Sequence, residues 1–118
     1  MLVTGFNHVA VMSNDTARFT EFYEGVFEAT WEVVEQQDGF KLTIVNVGPS
    51  ASFNVFEMAG NTESDRQVPM FGRGRLDHLA LEAASLEAFD EIRNRLITRG
   101  STDGFVSMSG TRSSASVA

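Results

Sequence analysis

Two stretches decide the fold: Gly5-Phe6-Asn7-His8-Val9-Ala10-Val11 and, seventy residues later, Arg75-Leu76-Asp77-His78-Leu79-Ala80-Leu81. In the first, Phe6, His8 and Ala10 share one side of an extended chain and Asn7, Val9 and Val11 the other, the two-residue alternation of a β-strand. Both sides are mostly apolar, so the expectation is a strand buried on both faces. The second stretch repeats this pattern, histidine included. Downstream of the first, Asn14 and Asp15 offer helix-capping side chains. Phe19, Phe22, Tyr23, Val26 and Phe27 then fall at i, i+3, i+4, i+7 and i+8, one stripe of an amphipathic helix. At the same offset Asp15 maps onto Ser85, and Phe19, Phe22, Val26 and Phe27 map onto Phe89, Ile92, Leu96 and Ile97. A register that survives a strand, a cap and a helix marks an internal repeat. Tyr23 maps onto Arg93, an imperfection in the copy.

Between the two copies, three more strands are expected. Ala29 to Gln36 is the first and least regular. Asp38-Gly39 signals a turn. Phe40 to Val45 alternates, Gly48-Pro49-Ser50 breaks it, and Ala51 to Met58 alternates again, with Ala51, Phe53, Val55 and Glu57 on one side. The expected organisation is a first βαβββ module over 1–58, a polar Gly- and Pro-containing connector over 59–74, a partial second module over 75–106, and a small, polar, aperiodic tail or loop over 107–118. The expected fold class is α+β, with an incomplete second module that lacks its last two strands.

The chain has 118 residues, 42% of them apolar and 21% charged, the mix of a globular domain with a real core. No apolar run approaches the roughly 20 residues of a membrane span, and the first residues carry no basic region of a secretion signal. Cysteine is absent. Disulfides, thiol nucleophiles and thiolate metal sites are therefore excluded, and a cytoplasmic location is expected. The net charge of −7 opposes binding to phosphate backbones, so nucleic acid is not an expected partner. Residues 1–58 hold two basic and eight acidic side chains, which gives −6, and residues 59–118 hold seven and eight, which gives −1.

The only histidines, His8 and His78, occupy the same position of the repeat. A single histidine between apolar neighbours is most often a hydrogen-bonded core residue. Two at matched positions would be brought to one axis by pseudo-twofold packing of the modules. Two imidazoles in an apolar cavity are the start of a metal site, since a cation compensates the buried polar atoms. Glu57, at the end of an apolar strand face, either reaches solvent or supplies a carboxylate to the same cavity as ligand or base. His8, Glu57 and His78 together make a nitrogen/oxygen set suited to Ni, Co, Zn, Mn or Fe(II). Asn14-Asp15-Thr16 matches a glycosylation sequon but is better explained as a helix cap. No catalytic triad can be assembled. Trp31, Phe40 and Tyr23 either line a pocket or fill the core.

The central histidine of the first strand, Asp15, Phe22-Tyr23 on the helix, and their repetition after a connector resemble the vicinal oxygen chelate superfamily, that of glyoxalases, bleomycin-resistance proteins and extradiol dioxygenases. The resemblance covers residues 5 to about 104. It implies paired βαβββ modules, each curling a mixed sheet around a cavity, with His8, Glu57 and His78 as metal ligands. A fourth ligand of that family, a late glutamate, has no counterpart here. Glu57 favours the lyase-like pattern over the dioxygenase pattern. Met12 stands where lactoylglutathione lyases usually carry a glutathione-contacting arginine.

The resulting expectation is a divalent-metal-dependent, glyoxalase-like enzyme acting on vicinal oxygens of a small substrate by lyase or isomerase chemistry, with Glu57 as the catalytic base and a homodimer as the working form. The alternatives are an Fe(II) enzyme of the extradiol-dioxygenase type and a metal-free protein that binds a small molecule or drug.

Overall fold

The computed structural model describes residues 1–66, 68, 69, 71–74, 76, 78–102 and 104, and the backbone of 114–117. The chain divides into two compact units, Met1–Arg66 and Gln67–Ala118. Among the described residues no helix is long and apolar enough to cross a membrane.

The first unit is a βαβββ module. Strand β1 (His8–Met12) leads into helix α1 (Thr16–Phe27), followed by β2 (Thr30–Gln37), β3 (Phe40–Asn46) and β4 (Ser52–Met58). The sheet order is β1-β4-β3-β2, with β1 parallel to β4 and the other pairs antiparallel. The β2–β3 turn runs through Asp38-Gly39, where Gly39 takes a φ of 75°, open to glycine at no steric cost. A register shift between Val33 and Glu35 makes Val34 a bulge in β2, an edge strand exposed throughout.

One face of the sheet packs against α1. Thr43, Val45, Phe53 and Val55 are buried there, along with Val26 from the helix. Burial of each of these valines contributes about 1.5–3 kcal/mol relative to exposure. Phe19, Tyr23 and Phe27 stack along α1 with ring centroids 4.6 and 5.5 Å apart, and Tyr23 lies 5.0 Å from the Phe53 ring. The helical stripe is thus core. Tyr23 belongs to it, and burial pushes its hydroxyl pKa up. The expectation of a first strand buried on both faces is corrected. Val9 and Val11 are half-buried on the helix side, whereas His8, Ala10 and Met12 are exposed on the other, because α1 covers only one face.

The second unit contains β5 (Leu79–Glu82), α2 (Leu86–Thr98) and β6 (Ser114–Val117). The repeat is literal at the caps. Asp15 Oδ1 accepts the Arg18 backbone N–H at 2.9 Å, and Ser85 Oγ accepts the Ala88 N–H at 3.0 Å, both pairs offset by the same seventy residues. Buried Val26 has buried Leu96 as its counterpart. Arg93, which replaces Tyr23, donates from Nε and Nη2 to the Gly104 carbonyl at 3.3 and 2.9 Å, tying the chain beyond the helix back to it. The expectation of a tail or loop over 107–118 is corrected at 114–117. Ser114–Val117 pairs antiparallel with β5, from Leu79↔Val117 to Glu82↔Ser114. Backbone pairing alone satisfies the β5 edge there, so bulky side chains are not required. Residues 107–113 and Ala118 of that expectation, and Arg75 and Asp77 of the repeat, lie outside the described residues.

Candidate functional site

His8 opens β1 on the sheet face that α1 leaves uncovered. Its Nδ1 lies 2.8 Å from Asn7 Oδ1. The amide oxygen can only accept, so Nδ1 is the donor. The parallel register sets His8 opposite Ser52, Ala10 opposite Asn54 and Met12 opposite Phe56. Across β4 and β3, Asn54 pairs with Ile44 and Phe56 with Leu42. The open face therefore carries an apolar patch of Ala10, Met12, Leu42, Ile44 and Phe56, with His8, Ser52, Asn54 and Asn46 beside it and Glu32 and Glu35 on the edge strand β2.

Glu57 leaves β4 on the other side. It follows Phe53 and Val55 in the alternation, and those two are buried against α1. Its carboxylate meets the start of the helix. Glu57 Oε2 accepts the Thr16 backbone N–H at 2.8 Å and lies 3.6 Å from Lys41 Nζ, its cross-strand neighbour. This supplies a negative charge to the helix's positive end and satisfies one of its orphan N–H groups. Hydrogen bonding from Thr16, with a smaller contribution from Lys41, holds the Glu57 carboxyl below its ordinary pKa.

Of the three residues expected to form a metal set, the structure thus sends His8 and Glu57 from opposite faces of one sheet. His78 is exposed immediately before β5 in the second unit. Metal–ligand bonds of about 2 Å require donors on one face, so this trio does not fit a metal as a single set. Among the described residues no group of three or more His, Asp or Glu side chains is placed to hold a metal ion. Asn54, with Ser52 and Phe56, lies on the His8 face of β4, and Glu57 does not. Sequence reasoning missed it because apolar residues occupy both parities of β4, and alternation alone does not say which parity lies under the helix.

A second concavity lies wholly within the first unit, at the end of the sheet where the β2–β3 turn meets the end of β4. It is a cleft of about 400 Å³ lined mainly by Asn14, Gln36, Gln37, Phe40, Lys41, Glu57 and Asn61. Phe40, expected in a pocket or in the core, lines this cleft and lies 6.1 Å from the Phe56 ring. Trp31 does neither. It is 45% exposed on β2 and donates from Nε1 to Glu24 at 3.1 Å.

The chain belongs to the Glyoxalase/Bleomycin resistance protein/Dioxygenase superfamily, whose model matches residues 5–108. Among solved structures, it is similar to a glyoxylase/bleomycin resistance protein/dioxygenase domain from Frankia sp. EAN1pec, with a TM-score of 0.68 and 20% identity over 85% of this chain and 76% of that one. That similarity supports the fold. SMU.1112c also matches, at a TM-score of 0.49 and 20% identity over 83% of this chain and 76% of that one. No curated protein matches the chain.

Proposed function

We propose that this chain binds a small organic molecule on the open face of its sheet and does so without a His8–Glu57–His78 metal centre. The observation that carries the reading is the β1–β4 register, which commits Glu57 to the N-terminus of α1 and leaves His8, Ser52 and Asn54 beside the apolar patch of Ala10, Met12, Leu42, Ile44 and Phe56. A ligand suited to that patch has a flat apolar or aromatic body and one or two polar groups for His8 and Asn54, the usual division of labour in small-molecule sites. Isotope-edited NMR with indole as the probe tests it. Saturable shifts at Ala10, Leu42 and Ile44 that Leu42→Glu removes, in a variant with unchanged circular dichroism, support the reading. Shifts confined to other residues contradict it.

The metal-dependent lyase or isomerase reading, and with it the Fe(II) dioxygenase reading, retains one observation in its favour. His8 and His78 stand at matched positions of two modules with matching helix caps. Elemental analysis of the purified protein beside its His78→Ala variant separates these readings. A homodimer is part of either proposal, because the first unit exposes the edge strand β2, which a second copy would pair with and cover.

A further inference from the structure

We propose that the cleft at the end of the first unit's sheet is a binding site for a neutral polyhydroxylated molecule of the monosaccharide or cyclitol class. The inference stands apart from the open-face reading, since the cleft is built from other residues. Its volume of about 400 Å³ lies within the range of about 300–1,000 Å³ found for small-molecule sites.

The ligand class follows from which hydrogen-bonding capacity the cleft residues leave unused. Asn14 gives one amide N–H to Asp65 at 2.7 Å, which leaves its carbonyl and a second N–H. Gln37 likewise gives one N–H to Glu35 at 2.5 Å and keeps a carbonyl and a second N–H. Glu57 uses Oε2 for the Thr16 N–H and has Oε1 left to accept. On the donor side, Lys41 stands 3.6 Å from that carboxylate, too far for a good hydrogen bond, with three N–H groups to offer. Gln36 brings both a donor and an acceptor. The unused set therefore mixes donors and acceptors within one small space.

That mixture selects among ligand chemistries. A phosphate or carboxylate only accepts, so it would use Lys41 and the amide N–H groups and leave the carbonyls unused, and it would meet the Glu57 carboxylate unfavourably. It would also enter a half of the chain that is acidic by six charges. An alkylammonium only donates and would face Lys41. A hydroxyl donates and accepts at once, and two adjacent hydroxyls match an ammonium beside a carboxylate, as Lys41 and Glu57 are placed. Phe40 supplies an apolar surface for the C–H face of such a ring.

The test is an amide-detected NMR titration of the full chain with D-glucose and with myo-inositol, beside inorganic phosphate and putrescine. The expected result is saturable shifts at the Gln36 and Gln37 side-chain amides and at Gly39 and Gly60 with either polyol, at a Kd of roughly millimolar. Gln36 lies on an exposed edge strand, so Gln36→Leu is expected to keep the fold and to weaken polyol binding by about five-fold or more. Lys41→Met is a second variant expected to act in the same direction. No saturation by either polyol would overturn the proposal. So would equal shifts from phosphate or putrescine, or unchanged binding in both variants.

Discussion

Glu57 and His8 lie on the adjacent, parallel strands β4 and β1, yet their side chains leave the sheet on opposite faces. The register pairs Val11 with Val55 and Met12 with Phe56. Glu57 is one step beyond Phe56 and so returns to the side of Phe53 and Val55, under α1. There it bonds the Thr16 N–H, forty-one residues away in the chain. The carboxylate best placed by residue type to complete a metal set is thereby used to fasten the helix to the sheet.

Because this carboxylate is held below its ordinary value of 4.5, its contribution to stability is present above that value and is lost as pH falls through the lower folded value. Glu57→Gln should therefore cost about 0.5–1 kcal/mol at pH 7, a modest figure because a third of the side chain meets solvent. The difference between the two proteins should close as pH falls well below 4.5. Urea unfolding at a series of pH values measures it, and a gap that persists unchanged in acid would show that the ionised carboxylate is not the source.

Thr43 is fully buried on the helix side of β3, and its hydroxyl has no hydrogen-bond partner among the described residues. Thr43→Val keeps the shape and removes the desolvation cost of that hydroxyl. The variant should be more stable by about 1 kcal/mol in the same unfolding experiment. A destabilised variant would reveal a partner for the hydroxyl.

The matched caps make a third expectation. Asp15→Ala and Ser85→Ala should each cost about 1 kcal/mol. Hydrogen exchange should place the loss in α1 for the first variant and in α2 for the second, since the two helices belong to separate units. Loss spread evenly over both helices in either variant would count against independent caps.

The caps and the helical stripe were legible in the sequence because they depend on local spacing. Asp15, Ser85, Val26 and Leu96 hold their places by periodicity alone, and a seventy-residue repeat states each of them twice. The superfamily was legible for the same reason. The face of Glu57 was not, because Phe53 and Val55 on one parity and Phe56 and Met58 on the other are equally apolar, and only the packing of α1 decides between them. Nor was β6. Ser-Ala-Ser-Val has little side-chain bulk to mark a strand, and its pairing with β5 spans more than thirty residues.

Sedimentation tests the assembly. A dimer at micromolar concentration is expected from the exposed edge strand β2, which carries Trp31, Val33 and Val34 at 45%, 39% and 50% exposure. A monomer throughout that range would set the homodimer aside.

The most direct measurement is a calorimetric titration of Co(II) and Zn(II) into the wild-type chain, His8→Ala and Glu57→Gln. With His8 and Glu57 on opposite faces, no single metal ion depends on both, so Glu57→Gln should leave any metal binding unchanged within about two-fold, whatever His8→Ala does. A stoichiometric site that both substitutions abolish would contradict the register, the placement of Glu57 at the helix, and the proposed function together.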